Sequence, residues 1–313
     1  MTESRLMLLD TASLYFRAFH GLPDTLRSPD GRPVNAVRGL LDFIARLVTD
    51  HRPTHLACCW DDDWRPAWRV ALLDSYKTHR VAAVADGAAV EEAPDELAPQ
   101  VPMIRAVLDA LGLPIVGVAD HEADDVIGSL ARQVSATGAA AVDVVTGDRD
   151  LFQLVDDAAR VRVIYVGRGI SKAESVDQAW VRQAYGIEAG AYVDFSVLRG
   201  DPSDGIPGVP GIGVKTAAKL LTEHGSLDGI LAAGSKPDGG VAAGVRSKLH
   251  AAIDYLAVAP QVVSVVDDLD VPELGELVLP SAPVDDSRFN ELASEYGLGG
   301  SADRVRKALF VNH

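Results

Sequence analysis

The chain has 313 residues, 48% of them hydrophobic, and carries 45 acidic against 29 basic side chains, a formal net charge of −16. That length and apolar content support one large or two smaller globular domains with full cores, and no apolar run approaches the ~20 residues needed to cross a bilayer. The N-terminus has no charged segment followed by an apolar stretch and a cleavage site, so a cytoplasmic protein is expected, with its adjacent cysteines, Cys58 and Cys59, reduced and buried in a strand.

Hydrophobic patterning predicts strands near 5–10, 55–61, 113–118 and 141–146, alternating with helices near 34–50, 101–111 and 122–137. This is the rhythm of an α/β domain over residues 1–176, with a central, mostly parallel sheet and helices on both faces. Between 64 and 100 the pattern breaks: residues 81–90 show no period and 91–99 are acidic and Pro-containing, as in a long mobile insertion without regular structure. Over 177–313 strands nearly vanish. Short helices between Gly/Pro turns are expected there near 177–185, 188–198, 214–224, 226–233 and 241–257, and the stretch 262–270 is expected to return along the sheet domain.

Nine acids recur in five tight groups along this pattern. Asp10 closes the first strand and Asp61 the second; Glu122, Asp124 and Asp125 open a helix; Asp148 and Asp150 follow the fourth strand; Asp201 and Asp204 open a loop. In a parallel sheet the carboxyl ends of the strands form one edge, where the crevice lies, so these groups would meet. Helix capping accounts for a single Asp in such a place but not for the whole set. Like charges so close together repel and raise one another's pKa unless cations neutralise them, and carboxylates without His or Cys suit Mg²⁺ or Mn²⁺. At ~100° per residue Glu122 and Asp125 share a helix face and Asp124 points away, so one helix start can feed two neighbouring metal positions. The acidic balance argues only superficially against a polyanionic partner. Much of it lies in the clustered acids, and 64–80 is locally basic through Arg65, Arg69, Lys77 and Arg80.

The second motif is a Gly/Pro turn running from Gly205 through Gly208, Gly211 and Gly213 into a helix that begins with Lys215 and Thr216. Glycines let the backbone approach a ligand closely, and a helix N-terminus presents unpaired N–H groups to an anion. With flanking helices, residues 188–224 read as a helix–turn–helix variant that grips duplex phosphate and reads no bases. A nucleotide P-loop would follow a strand, whereas the residues before this turn are helical and acidic. An aspartyl-phosphate phosphatase would need a second Asp where Ala12 stands.

The ordered motifs are Leu8-Leu9-Asp10 with Tyr15-Phe16-Arg17, Tyr76-Lys77-Thr78-His79-Arg80, Glu122-Ala123-Asp124-Asp125, Thr146-Gly147-Asp148-Arg149-Asp150, Gly200-Asp201-Pro202-Ser203-Asp204 and the Gly-rich turn. Over nearly the whole length the chain resembles the bacterial 5′→3′ exonuclease and flap endonuclease family, in its free-standing form. The resemblance implies a PIN-like flap-nuclease fold in which 64–100 forms an arch, and hydrolysis of DNA at 5′ flaps and 5′ ends by two or more Mg²⁺ or Mn²⁺ ions, in primer removal and repair. It implies that Asp10, Asp61, Glu122 and Asp124 serve one ion, and Asp125, Asp148, Asp150 and Asp201, with Asp204, the other. The family has a single Asp after Trp60 where this chain has Asp61-Asp62-Asp63; Asp61 is favoured because it directly follows the strand. Lys77 and Arg80, three apart and on one face if helical, would act on the scissile phosphate, Tyr76 would stack on a displaced base, and Tyr15 and Arg17 would lie near the 5′ end. Gly208, Gly211, Gly213, Lys215 and Thr216 would hold the duplex, with K⁺ on the turn carbonyls. The implied partner is DNA with a 5′ flap, nick or overhang, RNA-primed ends included, bound by a nucleoid-associated monomer.

Overall fold

The computed structural model describes residues 4–85, 88–91 and 94–310. Strand β1 (Arg5–Asp10) shows how the sequence builds the sheet: the two-residue period sends Leu6 and Leu8 into one core and Met7 and Leu9 into the other, all fully buried. The remaining strands are β2 (His55–Cys59), β3 (Val81–Ala85), β4 (Ala88–Glu91), β5 (Ile115–Val116), β6 (Ala141–Thr146), β7 (Val161–Tyr165) and β8 (Glu174–Val176). Six of them form one sheet in the order β5-β2-β1-β6-β7-β8, parallel throughout except for the antiparallel edge strand β8. The mostly parallel sheet covered on both faces is therefore present, and β7 and β8 extend it beyond the strands read from the sequence.

The helices are α1 (Thr11–Gly21), α2 (Asn35–His51), α3 (Ala67–Leu72), α4 (Gln100–Leu111), α5 (Ala123–Thr137), α6 (Gln178–Tyr185), α7 (Tyr192–Arg199), α8 (Val214–His224), α9 (Leu227–Gly234), α10 (Ala243–Ala251), α11 (Ile253–Val263), α12 (Asp286–Glu295) and α13 (Gly300–Phe310). The single helix expected at 241–257 is two, divided at Ala252, and α1 follows β1 without a break. The insertion expected to lack regular structure contains the antiparallel pair β3 and β4. Residues 86–87 and 92–93 of that segment lie outside the described residues. Cys58 and Cys59 are free and buried, as expected.

One face of the sheet packs on α5 and the helices that follow Val176, the other on α2, α4 and α13. The chain returns to the sheet domain after α11. Gly128 in α5 leaves room for this return, since a Cβ there would stand 2.7 Å from Val265 and 2.9 Å from the Val266 carbonyl. Val278 then bridges to His55 of β2, and α12 and α13 close over α4 and α2. The expected helical region from 177 onward thus contains two helices that complete the sheet's second face. The strand order reverses between β1 and β6, and at such a switch point the carboxyl ends open a crevice; Asp10 and the loop carrying Asp148 flank it. Among the described residues no helix is long and apolar enough to cross a membrane.

Candidate active site

Each acid reaches this edge from a different element. Asp10 ends β1 and caps α1, accepting from Ser13 N at 3.2 Å and from Thr146 Oγ1 at 2.6 Å, which stitches the ends of β1 and β6 together. Asp61 accepts from Ala123 N at 2.8 Å and so ties the end of β2 to the start of α5. Its neighbour Asp62 is exposed and Asp63 accepts from Arg65 N at 2.9 Å, so Asp61 is the member of the triplet that faces the cluster. After β6, Thr146 Oγ1 accepts from Asp148 N at 2.8 Å, and Asp148 Oδ1 accepts from Asp150 N at 3.0 Å. Asp201 takes bonds from Arg199 at 3.0 Å and Ser203 N at 2.9 Å. Gly205, with φ +70°, lets that loop lie against the base of the arch; a Cβ there would be 2.1 Å from the Ser75 carbonyl.

The acids share one electrostatic field. Burial, together with Asp61 and Asp148, pushes Asp10 up to about 7 despite the hydrogen bonds from Thr146 and Ser13. Burial first, then Asp10, Asp148 and Glu122, hold Asp124 well above the usual carboxylate range, and burial followed by Asp204 and Asp201 raises Asp148. Asp150 is pushed up by burial and by Asp148, Asp204 and Asp201, and its Oδ1 is buried without a partner. Among the described residues no three acidic, His or Cys side chains already stand in an arrangement ready to hold an ion. The set nevertheless fits hard divalent cations: all its donors are oxygen, it repels itself, and it contains an orphaned buried carboxylate oxygen.

The cations enter differently from the expectation. Lys77 and Arg80 do not share a helical face, because Lys77 adopts a left-handed backbone conformation (φ 49°) just before a short 3-10 turn at Thr78–Arg80. Lys77 is 8% exposed. Its Nζ donates to Glu122 Oε2 and, at 3.3 Å, to the Trp64 carbonyl, while its N–H donates to Asp204 O at 2.9 Å. Arg80 turns to Asp204 Oδ1 at 2.9 Å and Ser203 O at 2.8 Å. Both therefore face acids, from separate directions. Tyr76, expected to stack on a displaced base, is 4% exposed, and its hydroxyl donates to Glu122 Oε1 at 2.7 Å.

Asp125 stands in a different setting from the other acids. It does share a face with Glu122, but that face meets Arg69: Asp125 accepts from Arg69 at 2.6 and 2.9 Å, from Val266 N at 2.8 Å and from Glu122 N at 3.2 Å. Arg69 thus pairs with both oxygens of Asp125, whereas Glu122, held by the same guanidinium and by Tyr76 and Lys77, also acts on Asp124. From the sequence Arg69 is one cation of the basic stretch 64–80, and no motif contains Glu91. Partial burial raises Glu91, opposed by Arg80 and Lys77 and reinforced by Asp61, while its side chain stays exposed. The only sequence signal for its strand, β4, is Asp86-Gly87 between two apolar runs, a hairpin-turn pair.

Of the remaining residues, Tyr15 packs its ring 6.0 Å from that of Trp60, and burial raises its hydroxyl. Arg17 is half-buried and donates to Gly147 O and Gly167 O, both at 2.9 Å, and so braces the loop after β6. In the Gly-rich turn, Gly208 is buried, and a Cβ there would stand 2.5 Å from Gly200 N, so it serves packing and not ligand approach. Gly211, Gly213 and Lys215 are exposed and Thr216 partly so. Lys248 Nζ donates to Gly211 O at 2.9 Å, placing an ammonium on a carbonyl expected to hold K⁺.

Residues 5–186 match the family profile described as 5'-3' exonuclease, N-terminal resolvase-like domain, and residues 187–284 the one described as 5'-3' exonuclease, C-terminal SAM fold. The chain belongs to the 5'-3' exonuclease family. A "5'-3' exonuclease" of Streptomyces coelicolor is 57% identical over 304 residues, covering 97% of this chain and 99% of the relative, and one of Mycobacterium tuberculosis is 49% identical over 98% of both. A Mycobacterium bovis DNA polymerase I is 41% identical over 71% of this chain, a match that takes up 23% of the polymerase. Among solved structures, the T5 5'-exonuclease with divalent zinc ions bound matches with a TM-score of 0.64 at 17% identity, over 97% of this chain and 98% of that one. The catalytic core of Rad2 in complex with DNA substrate matches with a TM-score of 0.58 at 14% identity, over 98% of this chain and 92% of that one. The 5'-3' exonuclease fold thus extends over the whole described chain, and the protein is a phosphodiester-hydrolysing nuclease.

Proposed function

We propose that this 5'-3' exonuclease cleaves DNA at 5′ flaps, nicks and 5′ overhangs, acting as a cytoplasmic, nucleoid-associated monomer that removes primers, RNA-primed 5′ ends included, and serves repair. The observation that carries the reading is the convergence of Asp10, Asp124, Asp148 and Asp150 at the switch-point edge, each raised by burial and by its acidic neighbours. Two or more Mg²⁺ or Mn²⁺ ions, when bound, supply charge neutralisation of the scissile phosphate and an acidified water. Asp10, Asp61, Glu122 and Asp124 would hold them on one side and Asp148, Asp150 and Asp201 on the other, with Asp204 at the rim beside Arg80. Asp125 is left out of the ligand set.

The chain's own groups carry the remaining work. Lys77, kept charged between Glu122 and Asp204, presents an ammonium where phosphate charge develops, and such preorganised charge favours the transition state over the ground state. Tyr76 and Arg69 hold the Glu122 carboxylate, and Thr146 holds that of Asp10. Gly211, Gly213, Lys215 and Thr216 offer backbone N–H groups and positive charge to the duplex behind the cleavage point. The ammonium of Lys248 supplies the positive charge at the Gly211 carbonyl, and the reading needs no K⁺ there.

The test uses an end-labelled 5′-flap substrate with Mg²⁺. Wild-type protein should release the flap and Asp148→Ala should fall to background while melting cooperatively. Wild-type turnover by Asp148→Ala would overturn the reading.

A further inference from the structure

Arg69 is the most fully used cation among the described residues that no motif identifies. It is 3% exposed, in the short helix α3 at the base of the arch. A guanidinium has five N–H donors in a rigid fork, and here every one is engaged. Nη1 donates to Glu122 Oε1 at 3.1 Å and Asp125 Oδ2 at 2.9 Å, Nη2 to Asp125 Oδ1 at 2.6 Å and Ser264 O at 3.2 Å, and Nε to Val262 O at 3.1 Å. Its Cζ lies 4.5 Å from the Trp68 ring centroid.

These partners belong to separate parts of the molecule. Glu122 and Asp125 begin α5 and close its first turn with a capping box. Val262 and Ser264 mark where the chain leaves α11 and turns back over α5. One side chain therefore joins the base of the arch, the acidic helix start and the exit of the helical region. Bidentate pairing to Asp125 fixes the fork, and the fixed fork, together with the Tyr76 hydroxyl at 2.7 Å, sets where Oε1 of Glu122 lies.

We propose that Arg69 is a positioning residue for the nuclease reaction: it fixes the Glu122 carboxylate for cation binding and locks the helical region onto the acidic edge. It touches neither DNA nor the reacting atoms. The inference rests on Glu122 being a cation ligand. Groups that orient a metal ligand typically contribute about 10- to 100-fold to metal affinity, and Lys, with a point charge in place of a fork, cannot reproduce the five bonds.

The experiment measures Mn²⁺ affinity by electron paramagnetic resonance of the free ion, together with melting temperature, for wild type, Arg69→Lys, Asp125→Asn and Glu122→Gln. Arg69→Lys should weaken Mn²⁺ binding by about 10- to 100-fold, and raising Mn²⁺ should recover most of its flap-cleavage rate. Asp125→Asn, which loosens the same fork from its far side, should weaken Mn²⁺ in the same direction and carries the test if Arg69→Lys does not fold. Wild-type Mn²⁺ affinity in these variants, with only the melting temperature lowered, would reduce Arg69 to a structural residue and overturn the proposal. Wild-type affinity in Glu122→Gln would instead remove Glu122 from the ligand set, a separate failure of the underlying reading.

Discussion

The side chains at the acidic edge are held in a state that resists ionisation, and this has a measurable consequence in the metal-free protein. Asp10 rises from an ordinary 3.8 to about 7 on folding. Below the unfolded value both states are protonated and its contribution to stability is fully present. Between about 4 and 7 the unfolded chain ionises while the folded site keeps its proton, so stability falls as pH rises. Asp124, Asp148 and Asp150 shift in the same direction. Chelator-treated protein should therefore have a higher urea midpoint at mildly acidic than at mildly alkaline pH, and Asp10→Asn should flatten part of that slope; a midpoint that rises with pH would contradict the cluster's charge state. Lys77 is expected to act on the chemical step. Lys77→Ala should lower the single-turnover rate by about 10²- to 10³-fold, the usual loss when one preorganised charge-stabilising donor is removed. Its DNA dissociation constant should change little, and equal losses in rate and affinity would make Lys77 a general phosphate contact.

At the scale of elements, the Gly-rich turn separates fold from binding. Gly213 has extended backbone angles, and nothing lies within 4 Å of an added Cβ, so Gly213→Val should fold normally while covering the start of α8. Duplex-containing substrates should then bind about tenfold more weakly, equivalent to roughly 1.4 kcal/mol, with slow cleavage of single-stranded DNA preserved; uniform loss on both substrates would make the turn structural. Gly208→Val should fail to fold, because its Cβ would meet the backbone of Gly200. The elements that bear the acids were the legible ones. β1, β2 and β6 are apolar runs closed by or followed by Asp, and α5 opens with an acidic capping box, so pattern and chemistry coincide. β8 has only three residues and the β3–β4 pair is Ala-rich, so neither shows the alternation that marks a strand. α1 was missed because it starts on the residue after β1. The partners of Tyr76, Lys77 and Asp125 depend on the left-handed turn at Lys77 and on Arg69 arriving from α3, and helical spacing contains neither.

Over the whole molecule, two cores on opposite faces of one sheet hold the strand ends in register, and among the links that carry the chain from one face to the other are the segment before α4 and the return after α11. This arrangement lets helices that follow Val176 contribute Asp201 and Asp204 to an edge built by β1, β2 and β6. The excess negative charge is thus concentrated where cations are needed. The central claim is that this edge is a divalent-cation site, and the most direct measurement is anomalous diffraction from crystals soaked in Mn²⁺. The account predicts anomalous peaks between the carboxylates of Asp10, Asp124, Asp148 and Asp150, and none beside Asp125. Peaks confined to other parts of the surface, with this edge free of Mn²⁺ in a saturated crystal, would contradict it.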